Sequence, residues 1–462
     1  MARKNSQVRI QSSFGAVKRY DFRSLRAVLS LVVVLPSVIA CGRVSRCHSS
    51  CNNVFGFMTK TLLVIAAGPL QVPAFREAAP LGLRTVAVDA NPRAPGMALA
   101  DMRYAVDIFD AAAVEEIART EKISGVMTLC TDAPVRTVAA VAAALGLPAI
   151  SSEAAAHATD KRLMRKALLA NGVPVPRFSE VDSIAAASAA ANSLRYPVAL
   201  KIACSSGSRG VYRVNTSADL AKHFFQARQH QPSGDLLLEE WMDGPEVSVE
   251  GVCVGEKVHV IQVTDKVLFP GAYPVEAGHS QPSRLPAMIV EQIRDVTERG
   301  ISALGFTSCA FHAELKITTG GPKIVEIGAR LGGDRISTHL TPLSTGVNLV
   351  RAAIQIAVGW EPNLVLSAPR GAAIRYFHAS SCGTVERIEG LERLSSLPGL
   401  ELLYAASERD GPLQPGFVVG EIRSSLDRYG HALFSGDDAT QAIERAEQAI
   451  SMVKFCFAPK SD

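Results

Sequence analysis

The spacing of apolar residues divides the chain from Met58 onward into three units. In the first, the apolar run Leu62–Ala66 ends at Gly68 and predicts a strand over Thr61–Ala66. A helix carrying Phe75 and Ala78 follows, then a strand Thr85–Val88 closed by Asp89. A helix Ala111–Thr120, a strand Gly125–Leu129 and an Ala/Val-rich helix Pro134–Leu145 complete the unit. Strand and helix in alternation predict a doubly wound parallel sheet. The second unit reads as a helix from Lys161 to near Asn171-Gly172, then strands Tyr196–Lys201 and Val211–Asn215. Leu236–Glu240 is an apolar strand that meets Trp241-Met242, turns at Asp243-Gly244 and resumes in alternation to Glu250. The third unit opens with a strand Gly371–Phe377. It has strand and turn signals at Gly383–Ile388 and Gly416–Ile422 and closes with a helix Ala439–Val453. The predicted class is α/β, with a doubly wound domain over 58–152, a second domain over 153–365 and a small α+β domain over 366–462.

Composition fits this division. A chain of 462 residues, 48% hydrophobic, holds about three domains at roughly 150 residues each. Charge is uneven: residues 1–57 carry nine Lys/Arg and one acid, Asp21, a net +8, which leaves −4 for the rest. The basic balance therefore belongs to the N-terminal segment, and the body calls for neither a nucleic-acid nor a membrane partner. Within that segment Ala27–Ala40 is apolar apart from Ser30 and Ser37, too short for a typical membrane span, with Cys41 after it. A targeting peptide is the second reading of residues 1–57. The preferred one is a disordered extension or a mis-assigned start, because Met58-Thr59-Lys60 leads directly into the first strand. The six cysteines beyond Cys51 lack CxxC spacing and read as thiols of a reducing, cytoplasmic compartment.

The stretch Phe311–Asp334 carries the most chemistry. Two alternating runs flank Thr318-Thr319-Gly320-Gly321-Pro322, a loop rich in turn formers. Symmetric pairing about Gly320 sets Glu314 opposite Glu326. Ala313, Leu315, Ile317, Val325 and Ile327 then share one face, and the two Glu share the other with His312 and Lys316. Opposed carboxylates repel unless a cation lies between them. A hard, oxygen-rich site suits Mg²⁺ with nucleotide phosphates. A solvated hairpin in which Lys316 offsets the charge explains this segment equally well.

Other segments are ambiguous singly. Lys201 precedes the small-residue loop Ser205-Ser206-Gly207-Ser208-Arg209-Gly210, which could cradle phosphates or simply turn a hairpin. It is not a Walker A loop. Gly68 and Asp89 have the places of a dinucleotide fold, but the GxGxxG fingerprint is absent, which disfavours nicotinamide or flavin chemistry. Glu239-Glu240-Trp241-Met242 with Glu246 is either a base-holding connector or an acidic turn.

Taken in order, these motifs resemble the ATP-grasp superfamily. The series is Lys161, Lys201 with its Ser/Gly loop, L-E-E-W-M with Glu246, Glu314 and Glu326, then Arg330 in E-I-G-A-R-L-G-G-D. The resemblance covers Met58–Asp462 and is closest to ATP-dependent carboxylate–amine ligases, including the amino-acid (dipeptide) ligase branch. It implies a two-lobed ATP-grasp domain behind a pre-ATP-grasp domain. It implies that Lys161 and Lys201 bind ATP phosphates under a lid of Ser205, Ser206, Gly207, Ser208 and Gly210. Glu239 and the backbone of Glu240, Trp241 and Met242 would hold adenine, and Glu246 the ribose. Glu314 and Glu326 would ligate Mg²⁺, with Mn²⁺ as a substitute. Arg330, with Lys201, would serve catalysis by stabilising an acyl phosphate and its tetrahedral successor. Glu276, His279, Gly332 and Gly333 match substrate-facing positions. Many relatives have Asn where this chain has Gly328, so the second metal's coordination differs here. The implied partners are a small-molecule carboxylate and an amine, with a homodimer surface in the third unit. A carboxylase, a purine-synthesis enzyme or a non-catalytic nucleotide-binding module would share the same ATP site.

Overall fold

The computed structural model describes residues 59–204, 210–270, 273–407 and 411–458. The expectations for residues 1–57, and for Ser205, Ser206, Gly207 and Ser208, lie outside them. No helix among the described residues is long and apolar enough to cross a membrane.

The first unit forms a four-stranded parallel sheet from β1 (Thr61–Ile65), β2 (Arg84–Val88), β3 (Met102–Tyr104) and β4 (Gly125–Met127), in the order β3-β2-β1-β4. Side chains alternate across it. Leu62, Val64 and Met127 pack on one face with Phe75, while Leu63, Ile65 and Val126 pack on the other with Val114, Ile117 and Val141. The first face also receives the helix Leu349–Ala357, which arrives from the far side of the second unit. Gly125 permits this contact, since a Cβ there would lie 2.4 Å from the Ala357 carbonyl oxygen. Asp89 serves the strand end: its carboxylate accepts from the N–H groups of Ala67 and Asn91, each at 2.8 Å.

The second unit has two lobes. The smaller is an antiparallel sheet, β5-β8-β6-β7, made from β5 (Phe178–Val181), β6 (Val198–Lys201), β7 (Val211–Val214) and β8 (Leu236–Glu240). Helices Ile184–Leu194 and Ser217–His230 supply Ala187, Ala191, Leu220 and Phe224 to its core. The larger lobe is built on β9 (Glu246–Val254), β10 (Lys257–Leu268), β11 (Glu276–Gln281), β12 (Ala310–Thr318) and β13 (Gly321–Gly328). Helix Ala287–Ala303 and helix Lys161–Ala170 pack on it through Ile293, Ile301, Met164 and Leu168.

The sheet does not stop at residue 365. Its order is β13-β12-β9-β10-β11, then β14 (Gly371–Tyr376), then strands His431–Gly436 and Leu400–Tyr404. β11 pairs with β14 in the register Gly278↔Arg375 to Gln281↔Ala372, so the third unit continues the sheet of the second. Helix Ala439–Met452 buries Ala442, Ile443, Ala446 and Ala449 against Ala373 and Phe434. Of the signal at Gly416–Ile422 only Val418–Val419 is strand, paired to Gly383-Thr384.

Candidate active site

A cavity of about 460 Å³ is lined by both lobes, by the loop after β4 and by Ser424, Ser425 and Leu426 of the third unit. This size accommodates a nucleotide-scale ligand, since binding pockets commonly span about 300–1,000 Å³. Lys161, Lys201, Glu239, Glu240, Trp241, Met242, Glu246, Glu276, His279, Glu314, Glu326, Arg330 and Gly333 all line it.

The hairpin reaches the predicted pairing by another route. Thr318 pairs with Gly321, so the turn is a two-residue Thr319-Gly320 connection, tighter than one centred on Gly320. That register alone would offset the carboxylates by one residue. A bulge at Val325 restores it, and Glu314 stands opposite Glu326. The bulge changes which residues face the core: Ile324 joins Ala313, Leu315 and Ile327 there, and Val325, predicted to lie among them, lines the cavity instead.

Each carboxylate of the pair meets a lysine. Glu326 lies 3.2 Å from Lys161 Nζ, and Glu314 lies 3.2 Å from Lys266 Nζ. Glu314 also faces His312 Nε2 at 3.3 Å, and His312 Nδ1 bonds Glu250 at 2.7 Å. Burial alone would lower the His312 pKa, but Glu250 and Glu314 raise it to about 9, so the ring is cationic at neutral pH. The Lys266 side chain is almost fully buried between Glu246 at 2.6 Å, Glu314 at 3.2 Å and Glu276 at 3.6 Å. Burial works against its charge, yet the three carboxylates hold its pKa well above the usual lysine range. Lysines and acids thus alternate through the cavity. Charges buried so closely persist only when paired. The donor set, two opposed carboxylates each paired with an ammonium group, suits a hard divalent cation that brings phosphate oxygens with it. Among the described residues no cluster of three or more His, Cys, Asp or Glu forms a self-sufficient metal cage.

Lys161 and Arg165 lie one turn apart on helix Lys161–Ala170 and are both buried. Arg165 Nε donates to Glu239 at 2.5 Å and its Nη2 to the Val325 carbonyl at 2.6 Å. Lys201, at the end of β6, donates to the other Glu239 oxygen at 2.6 Å. Burial pushes the Glu239 pKa up, but Arg165 and Lys201 outweigh it and leave the carboxyl at about 2. The Glu239 side chain is therefore committed to these two cations. Glu240 is likewise held by Lys323 at 2.5 Å and Arg177 at 2.8 Å. Trp241 Nε1 donates to Asp243, and Arg213 lies over its ring. The Met242 N–H has no partner among the described residues. Gly210 closes the base of the Ser/Gly loop: its carbonyl accepts from Ile202 N–H, its φ is +68°, and a Cβ there would strike Ile202 at 2.4 Å.

Arg330 forks onto Asp132, from the loop after β4, with bonds of 2.9 and 3.0 Å. The fork explains the glycine at 328, where a Cβ would stand 2.9 Å from Asp132 Oδ1 and 3.2 Å from Arg330 Nε. Gly332 is constrained as well, with its Cβ position 2.7 Å from both Glu250 Oε2 and His312 Nδ1. His279 Nε2 faces Asp334 at 3.2 Å, and Arg428 of the third unit forks onto Asp334 at 2.8 and 2.6 Å.

Asp132, Arg165, Lys266 and Arg428 were not foreseen. Asp132 was the most accessible of the four, since ligand sites of parallel sheets form at the carboxyl ends of strands. Lys266 had a weaker signal, a lysine within an otherwise alternating strand. Arg165 and Arg428 had none, because their partners are 74 and 94 residues away.

Comparison with known proteins matches two segments of the chain to known families. Residues 194–339 match the ATP-grasp domain family, and residues 375–458 match the L-amino acid ligase C-terminal domain 2 family. Residues 194–339 thus form an ATP-grasp domain. The C-terminal segment of the chain is of the L-amino acid ligase kind. The chain is 25% identical over 409 residues to a formate-dependent phosphoribosylglycinamide formyltransferase of Burkholderia lata, covering 85% of this chain and 95% of that one. It is 27% identical over 416 residues to human carnosine synthase 1, covering 83% of this chain but only 49% of that one. The crystal structure of an L-amino acid ligase from Bacillus licheniformis superposes with a TM-score of 0.73 at 22% identity, over 87% of this chain and 99% of that one.

Proposed function

We propose that this protein is an ATP-dependent carboxylate–amine ligase that joins amino-acid-like substrates through an acyl phosphate, releasing ADP and phosphate. The observation that carries the reading is the convergence of Lys161, Lys201, Glu314, Glu326 and Arg330 on one cavity, in a chain that combines an ATP-grasp domain with an L-amino acid ligase C-terminal domain. The carnosine synthase and L-amino acid ligase relatives support the amide-forming direction.

The roles follow from charge and position. Lys161 and Lys201 neutralise phosphate oxygens, and Glu239 with Arg165 fixes where Lys201 points. The free Met242 N–H offers a hydrogen bond to adenine, a role that the Glu239 side chain cannot fill while it holds two cations. Glu314 and Glu326 would hold Mg²⁺, which when bound neutralises charge on the transferring phosphoryl group. A substrate carboxylate oxygen attacks the γ-phosphorus, the bond to the ADP oxygen breaks, and a mixed anhydride results. The amine nitrogen then attacks the acyl carbon. Arg330, oriented by Asp132, faces the oxyanion, phosphate leaves with the C–O bonding pair, and nitrogen loses a proton. The anhydride must be kept from water, and the two lobes, the loop after β4 and the third unit all line the cavity in which it would form.

The test is an ADP-release screen over pairs of amino acids, on protein beginning at Met58. The expected result is ADP and phosphate in equal amounts, dependent on both an acid and an amine. Release that needs bicarbonate in place of an amine would turn the reading toward carboxylation, and no release with any pair would reject it.

A further inference from the structure

Helix Lys161–Ala170 touches two consecutive residues of β13. Lys161 meets the Glu326 carboxylate, and Arg165 Nη2 donates to the Val325 carbonyl at 2.6 Å. Val325 is the surplus residue of the bulge and stands opposite no residue in the register with β12. β13 is also the outermost strand of its sheet among the described residues, so no further strand holds it from the other side. Beside the bulge, the Ile324 N–H donates to the Pro174 carbonyl at 2.9 Å. A loop carbonyl and a guanidinium thus hold this edge in place of a neighbouring strand. A bulge interrupts the ladder, and a slip of one residue turns side chains to the opposite face. The other arm of Arg165 grips Glu239, which in turn holds Lys201. Packing alone does not account for an arginine here. Arg165 is 0% exposed, and its Nη1 has no hydrogen-bond partner among the described residues. An unpaired buried donor costs free energy that an apolar side chain of similar length would not.

We propose that Arg165 is a positioning residue for the metal site: by pinning the Val325 carbonyl it fixes the bulge that sets Glu326 opposite Glu314. The inference rests on the reading of that Glu pair as a metal site, and it adds a residue that touches neither metal nor nucleotide. Arg165 lies behind the cavity wall, whose lining includes Val325, Glu239 and Lys201. A guanidinium suits the task because its planar fork holds two acceptors at once in fixed directions. Lysine in its place would keep a charge beside Glu239 but could not span both acceptors. The same fork makes the aim of Lys201 and the alignment of the Glu pair depend on one side chain. Phosphate and metal are then received by groups already set relative to each other.

The test is a Mn²⁺ titration of the whole protein with ADP present, read by electron paramagnetic resonance. Arg165→Lys should weaken Mn²⁺ binding by about 10- to 100-fold, the usual cost of removing a group that orients a metal ligand. ADP affinity measured without divalent metal should stay at the wild-type value, because a charge remains beside Glu239. Deleting Val325 gives the second arm. Ile324 is then followed directly by Glu326, which falls opposite Glu314 in an unbroken register with no bulge to hold. In that background Arg165→Lys should cost Mn²⁺ affinity nothing further. Undiminished Mn²⁺ binding in Arg165→Lys, or an equal loss of ADP affinity, would overturn the inference. So would the same loss with and without Val325, or loss of Mn²⁺ from a Val325-deleted protein that still binds ADP. Equal Mn²⁺ binding by the wild type and Glu326→Gln would reject the Glu pair as the metal site, and the inference with it.

Discussion

Lys201 and Arg165 grip opposite oxygens of Glu239, at 2.6 and 2.5 Å, and so tie the smaller lobe to the helix that carries Lys161. Glu239 is 1% exposed, so neither cation can exchange this partner for water. The contact sets the direction of Lys201 before any nucleotide arrives.

Its stability contribution has a definite pH window. The Glu239 carboxyl sits at about 2 in the folded protein against an ordinary 4.5, because Arg165 and Lys201 outweigh the effect of burial. A depressed carboxylate stabilises fully above its unfolded value, and this is lost as pH falls from about 4.5 toward 2. The shift is worth about 3 kcal/mol. Urea unfolding followed from about pH 6 to pH 3 should show the loss, and Glu239→Gln should flatten it. At neutral pH that variant should be less stable by about 3–5 kcal/mol, since two buried cations lose their partner.

Lys201→Ala and Glu326→Ala should each lower ADP formation by about 10²-fold or more while the far-ultraviolet circular dichroism stays unchanged. Lys201 is one of two cations at Glu239, and Glu326 lies at the cavity wall, so neither change empties the core. Normal turnover in a folded Glu326→Ala protein would remove that residue from the metal site.

Gly328→Asn should lower kcat rather than improve it. The side chain would enter space held by the Arg330–Asp132 fork. If Arg330 faces the oxyanion as proposed, displacing it by about 1 Å costs roughly 10²-fold. A gain in kcat would mean that the fork yields and that the added amide serves as a ligand.

Lys266→Met leaves Glu246, Glu276 and Glu314 without their common cation. Facing carboxylates then repel, so the variant should melt earlier than the wild type in metal-free buffer. Mg²⁺ should raise its melting temperature by more than it raises that of the wild type. Equal shifts would show that Mg²⁺ does not reach Glu314.

Much of the fold was legible because it is written in local periodicity. The helix Ala111–Thr120 and the parallel strands of the first unit follow from apolar spacing and turn residues alone. The pairing of Glu314 with Glu326 was legible too, but not its cause. The sequence pointed to a symmetric turn, whereas a tighter turn and a bulge at Val325 produce the same pairing and turn Val325 from the core to the cavity. Helices such as Ile184–Leu194 gave less signal, since a run of alanines has a weak amphipathic pattern.

The sequence by itself determined which residue types were present for the proposed phosphate and metal chemistry: the lysines, the Glu pair, the arginine and their order along the chain. Only the tertiary structure decided how they are held. Glu239 is committed to Arg165 and Lys201, Arg330 to Asp132, and Arg428 to Asp334, through contacts between residues 38 to 198 positions apart. The physical reason is that periodicity reports which face of an element is buried, while an ion pair depends on where two distant elements meet.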